Sequence, residues 1–241
     1  MEYEFTKYIE TFDKNERMIK LKYNHSLRVK DNCINIAKSE KLDNEQIELA
    51  KVIGLLHDYG RFAQWEKHHT FKDYSSFDHA DYGVQKLFDE NEIEKYWAYK
   101  KDYKIIYDAI KNHNKYSLPE DIGESALMSK IVRDADKLDI LYLYTVGELT
   151  FKNEGEITKE IETVFYNHKQ IKNQKMISKA DWILWALALV YDLNFNYSYK
   201  YLKENKIIEK IYEKIKNKTN LQKYFDEINI YINKKLEVIK C

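Results

Sequence analysis

Of the seven histidines in this chain, six fall between His25 and His113. Four of those six, His25, His57, His79 and His113, sit at expected helix ends or on apolar helical stripes. An imidazole so placed is either a satisfied core histidine or a ligand pointing inward, and taken singly the core reading is the simpler one. Four on separate helices, accompanied by Asp58 and Asp136, point instead to one cluster. A mixed imidazole and carboxylate set suits a borderline first-row ion (Mn²⁺, Fe²⁺, Co²⁺, Ni²⁺ or Zn²⁺) better than Mg²⁺ or Ca²⁺.

Adjacent His57 and Asp58 impose a geometric condition. Neighbours on a helix point about a third of a turn apart, so both reach one ion only near a helix end. Tyr59-Gly60 follows at once, and glycine is favoured just past a helix C-terminus. The alternative role for Asp58 is a capping or salt-bridging carboxylate. Further along, Asp134, Asp136 and Asp139 compete for a single distal ligand position. Asp139, three residues beyond Asp136, lies near the same helical face and suits an orienting partner. Asp134 is read as pairing with Arg133 or a lysine, or as facing solvent.

Phosphate-binding cations are sought beside these residues. Arg61 follows the His-Asp pair, Lys137 follows Asp136, and Lys111 and Lys115 flank His113, with a solvated charge the simpler reading for Lys111. His68 and His69 lie beside Trp65 and Phe71, and His69 is a candidate proton donor or base contact. His168 follows on a polar face and receives no role.

The elements that must position these groups are helical. Leu21, His25, Val29, Cys33 and Ile36 share one stripe of a first long helix. Asn44 reads as the N-cap of a second, running through Ile47, Ala50, Ile53 and Gly54 to His57. The segment GRFAQWEKHHTFKDYSSFD has no period and reads as a long functional loop. Ser75 or Ser76 is the expected cap of a helix holding His79, Gly83 and Leu87. Another helix passes Ile105 to His113 and stops before Pro119. A strongly apolar one covers ESALMSKIVRDADKLDILYLY. Helices over Ile157–Ile171, Trp182–Leu193, Ile207–Ile215 and Leu221–Ile239 follow, the Trp182 window being a buried helix too short to span a bilayer.

Composition agrees with this. Hydrophobic residues make up 44% of 241 residues and aromatics 15%, enough for a core, while six glycines and one proline are too few for a turn-rich β fold. Forty basic residues balance forty acidic ones, so no extended nucleic-acid or membrane footprint is expected. Cys33 and Cys241 suggest no disulfide framework. The N-terminal stretch lacks the apolar run of a signal peptide, giving a cytoplasmic expectation. Residues 1–150 are expected to form the helical core and 151–241 a C-terminal helical extension packing on it, with a homodimer surface there conceivable.

The series His25, LLHDYGRF, DHADYG, KNHNKY and VRDADKLD resembles the HD superfamily of metal-dependent phosphohydrolases, over roughly residues 20–145. Small stand-alone bacterial members with GRF after the His-Asp pair are the most similar in pattern. The resemblance implies an all-α HD-domain bundle in which His25, His57, Asp58 and Asp136 hold one divalent metal. ADKL matches the family pattern that selects Asp136. In some members two more histidines hold a second ion, and His79 and His113 occupy those places in the order, with Asp58 the bridging catalytic carboxylate. One or two ions would activate water and polarise a phosphoryl oxygen. The implied partner is a small phosphorylated substrate, with a nucleotide the leading candidate. The Gly-Tyr-Pro pattern of cyclic dinucleotide phosphodiesterases is missing after His113. The rival reading is an HD-like domain serving as a sensing or protein-binding module.

Overall fold

The computed structural model describes residues 1–172 and 175–237, and these contain helices, short helical turns and no strand. Two compact units divide the chain, Met1–Asp136 and the part from Lys137 onward. The expected Ile239 end of the last helix and Cys241 lie outside the described residues. No helix among the described residues is long and apolar enough to cross a membrane.

The first unit begins with α1 (Glu2–Ile9), α2 (Arg17–Ser39) and α3 (Asn44–Leu56). Helix α2 starts where the Glu16 side chain accepts from the Met18 amide, and it buries Ile19, His25, Val29, Cys33 and Ile36 on one face. Helix α3 is started by Asp43, not Asn44: Asp43 accepts from Gln46 N while the Gln46 side chain returns to the Asp43 amide. This reciprocal arrangement satisfies two orphan donors of the first turn, and a side chain at Asn44, already inside the helix, cannot do so. The two helices pass so close that a Cβ on Gly54 would lie 2.7 Å from Cys33 Sγ and 2.9 Å from Lys30 Cα.

Residues expected to form a long loop instead begin as α4 (Tyr59–His68). Gly60 belongs to this helix and does not terminate α3. Its missing side chain admits α5 (His79–Val84), since a Cβ there would stand 2.2 Å from the His79 carbonyl oxygen. Asp78 caps α5, accepting from the Ala80 and Asp81 amides. The expected caps Ser75 and Ser76 lie in and beside a 3-10 turn over Asp73–Ser75, too early in the chain to reach those amides. Helix α6 (Tyr103–Asn112) buries Ile106, Ala109 and Ile110, and α7 (Ala126–Val146) begins the approach to Asp136.

The second unit has its own apolar core. It is built from the last turns of α7, α8 (Lys159–Tyr166), α9 (Asp181–Ala188), α10 (Asn196–Glu204), α11 (Ile207–Lys214) and α12 (Gln222–Glu237). Ile183, Leu184 and Leu187 of α9 are fully buried there, and the half-buried Trp182 and Trp185 meet edge to face beside them. Helix α10 was not legible as a separate element because NYSYKYLKE carries tyrosines in place of an aliphatic stripe.

Candidate metal centre

His57 and Asp58 occupy the joint between α3 and α4: His57 closes one helix and Asp58 opens the next. A joint of this kind relaxes the third-of-a-turn divergence, so both side chains turn into one volume. His25 enters from the middle of α2, His79 from the first position of α5, His113 from the residue after α6, and Asp136 from α7. All six belong to the first unit. The imidazoles and Asp58 are almost completely buried.

Two groups of donors share Asp58. His25 Nε2 lies 3.2 Å from His57 Nε2, 3.3 Å from Asp58 Oδ2 and 3.1 Å from Asp136 Oδ1. His57 Nε2 is 3.5 Å from Asp58 Oδ2 and 3.7 Å from Asp136 Oδ1. On the other side, His79 Nε2 lies 3.0 Å from His113 Nε2 and 3.2 Å from Asp58 Oδ1, with His113 Nε2 at 3.7 Å from that oxygen. One carboxylate oxygen faces one imidazole pair and the other oxygen faces the second.

The outer nitrogens decide what the inner ones can do. His57 Nδ1–H donates to the Gly54 carbonyl at 2.8 Å and His113 Nδ1–H to the Ile110 carbonyl at 2.6 Å. A carbonyl oxygen can only accept, so the proton of each neutral ring sits on Nδ1 and Nε2 carries a lone pair. Burial pushes His113 down to about 4, against the opposing pull of Asp58, which keeps the ring neutral at ordinary pH. His79 Nδ1 faces Asp73, 2.9 Å from Oδ2, and Asp73 is held far down the carboxylate range: burial opposes this, but His79, Arg61 and Gln64 outweigh it. The Nε2 atoms of His57, His79 and His113 therefore present lone pairs toward neighbouring imidazoles and carboxylate oxygens. Such an arrangement is satisfied by a cation in its midst. Donors 3.0 to 3.7 Å apart also match neighbours in a coordination sphere with bonds of about 2.0–2.2 Å. The residues fit one divalent ion among His25, His57, Asp58 and Asp136, and a second among His79, His113 and Asp58.

Around the donors lies a polar brace that the sequence did not announce. Asp73 accepts from His79, from Arg61 Nη1 at 2.8 Å, from Gln64 Nε2 at 2.9 Å and from Asn114 Nδ2 at 3.2 Å. Arg61 Nη1 also donates to Gln64 Oε1 and to the Phe71 carbonyl. Arg133, one turn before Asp136, donates to the carbonyls of Asn112 and His113 and so fixes the end of α6. Lys22 Nζ donates to Asp58 Oδ2 at 2.6 Å. Burial works against ionisation of Asp58, yet Lys22 and the surrounding imidazoles keep it well below the usual carboxylate range. Lys22 stands three residues before His25, a spacing that places both on one face. That was the only legible hint, because Asp73, Gln64 and Asn114 come together through tertiary contacts.

Lys115, Lys137 and Lys111, among the other anticipated residues, have partners outside the six donors. Lys115 pairs with Asp78 at 2.6 Å, and Lys137 with Asp192 at 2.8 Å inside the second unit. Lys111 lies 3.2 Å from Tyr107 Oη. His68 and His69 are exposed at the end of α4, with His69 against Trp65 in the left-handed region. Asp139 is buried in the second unit. Asp134 is fully buried, which corrects the solvent-facing alternative, since the α7 face it occupies points inward. His168 bonds Glu227 at 2.7 Å.

No curated protein and no solved structure matches this chain. Residues 23–141 match the family model for the HD domain, a stretch that begins just before His25 and ends just after Asp139. With its helices and its His/Asp cluster, that stretch is an HD domain, the fold of the HD superfamily.

Proposed function

We propose that this protein is a metal-dependent phosphohydrolase that cleaves a phosphoester or pyrophosphate of a small substrate, a nucleotide being the foremost candidate. The observation that carries this reading is the placement of Asp58, whose two oxygens face two separate imidazole pairs. Metal binding by an HD domain accounts for that placement, and a two-ion site is its simplest form. Divalent ions bound there supply an acidified water and Lewis acidity toward a phosphoryl oxygen.

The chain's own contribution is to hold the donors in one protonation state. Gly54, Ile110 and Asp73 each accept a hydrogen bond from an Nδ1–H, which leaves Nε2 of His57, His113 and His79 available as ligands. Burial of the imidazoles excludes bulk water behind the site, while Asp136, Lys22, Arg61 and Asp73 retain partial exposure and form the side a substrate can approach.

The test is metal content of protein purified without chelator, paired with a phosphate-release screen over nucleotides and sugar phosphates. We expect about two first-row ions per chain, turnover that follows manganese or cobalt addition, and loss of both ions and turnover in Asp58→Ala with helical circular dichroism intact. An active, metal-replete Asp58→Ala protein refutes the reading. A wild-type protein that takes up no ion and releases no phosphate, even after reconstitution, assigns the chain instead to HD-fold sensing or protein-binding modules.

A further inference from the structure

We propose that Lys22 is the phosphate-recognising cation of this site and that it selects a terminal, dianionic phosphate over a diester; this rests on the phosphohydrolase reading above. The cations anticipated from sequence have their nearest carboxylate partners outside the six donors. Arg61 Nη1 is shared among Gln64, Phe71 and Asp73, and its Nε is buried 3.5 Å from Asp58 Oδ1. Lys115 is bound to Asp78 and Lys137 to Asp192. Lys22 differs in its partner and its place. Its Nζ sits 2.6 Å from the Asp58 oxygen that faces His25 and His57, and 5.4 Å from the Phe71 ring centroid, with 16% of the side chain exposed.

An ammonium has three N–H bonds. One is used on Asp58 Oδ2, and this bond need not break when an ion takes another lone pair of the same oxygen. The remaining two belong to a side chain that keeps partial exposure beside His25, His57 and Asp136, where a phosphoryl oxygen on an ion held by those residues would accept them. Charge argues in the same direction. Asp58, Asp73 and Asp136 outnumber Lys22 and Arg61 by one, so the cluster alone is anionic and divalent ions reverse its sign. A site made cationic in this way, with an ammonium at its edge, favours the ligand with the most negative charge per phosphorus, a monoester with two ionisable oxygens. The flexible four-carbon stem of lysine suits a point-charge contact to such a group.

The experiment uses the full chain loaded with manganese, in wild-type, Lys22→Met and Lys22→Arg forms. Manganese is titrated first, then inorganic phosphate by calorimetry, then p-nitrophenyl phosphate and its bis-ester are compared as substrates. Lys22→Met is expected to keep the wild-type manganese stoichiometry and to bind phosphate about tenfold to a hundredfold more weakly, the span expected for one charge-assisted hydrogen bond. Its kcat/KM preference for monoester over diester should fall by a similar factor through KM, with Lys22→Arg recovering most of the loss. Unchanged phosphate affinity, or an unchanged monoester preference, in Lys22→Met overturns the proposal while leaving the metal site standing. Loss of manganese in Lys22→Met overturns it too, making Lys22 a positioning residue for Asp58. A wild-type chain that binds no manganese removes the phosphohydrolase reading and this inference together.

Discussion

At the scale of single residues, the chemistry of the cluster is set by atoms that never touch its centre. An imidazole offers a lone pair at Nε2 only while something holds its proton at Nδ1. For His57 and His113 that something is a backbone carbonyl, Gly54 O and Ile110 O, which no side-chain substitution removes. For His79 it is Asp73, which can be changed. Asparagine at that position keeps the shape but lacks the charge, and its amide N–H₂ competes to donate to Nδ1, which reverses the tautomer. Asp73→Asn is therefore expected to retain one ion at full affinity and to bind the other about 10–100-fold more weakly, with helix content unchanged. Two ions with wild-type affinities in Asp73→Asn would show that Asp73 braces Arg61 and Gln64 without governing His79. Asp73 could not be singled out in the sequence, because nothing in its neighbourhood distinguishes it from other loop acids; its role is created by the return of α5 toward α4.

At the scale of elements, the site depends on two close helix approaches, each made by glycine. Gly54 lets α3 lie against α2, which brings His57 to His25, and Gly60 lets α4 lie against α5, which brings Asp58 to His79. The obstruction at Gly60 is backbone, the His79 carbonyl, so a methyl group there cannot be absorbed by a side-chain rotation. Gly60→Ala should destabilise the fold by about 1–3 kcal/mol and push His79 away from Asp58, so that the ion held with His113 is lost before the ion held with His25. Chemical denaturation together with metal analysis reads both effects; wild-type stability with two ions retained would mean that α4 and α5 separate freely. The same glycine explains why the sequence misled about α4. Tyr59, Phe62 and Ala63 do follow a helical period, but Gly60 imitates a helix stop, and the buried Gln64 interrupts the apolar face. Gln64 is tolerated there because Arg61, Asp73, Ser76 and Phe77 satisfy it, contacts that no local pattern encodes. The long helices carrying His25 and Asp136 were legible because their apolar positions recur at helical spacing over many turns, a pattern that survives the buried polar residues among them.

At the scale of the whole molecule, the donors are drawn from α2, the joint of α3 and α4, α5, the end of α6, and α7, and every one belongs to the first unit. A cation among them therefore ties together segments that are distant in sequence, and it can do so only when all are folded. In the unfolded chain the same six residues are separated by long flexible stretches and bind an ion weakly. An ion that binds the native state and not the unfolded one stabilises by an amount that grows with the logarithm of its concentration over Kd, about 2.7 kcal/mol at a hundredfold excess over Kd. Manganese should accordingly raise the melting temperature of the first unit in a concentration-dependent way, and chelator should reverse the rise. None of these six donors lies in the second unit, which has a separate apolar core, so amide exchange in α9 to α12 is expected to respond less than exchange in α2, α3 and α6. Asp58→Ala removes the carboxylate common to both donor groups and should abolish the thermal shift altogether. A shift of wild-type size in that variant would place the stabilising ion somewhere other than the His/Asp cluster. An equal gain of protection across both units would mean that they unfold as one cooperative body, with the cluster stabilising the entire chain.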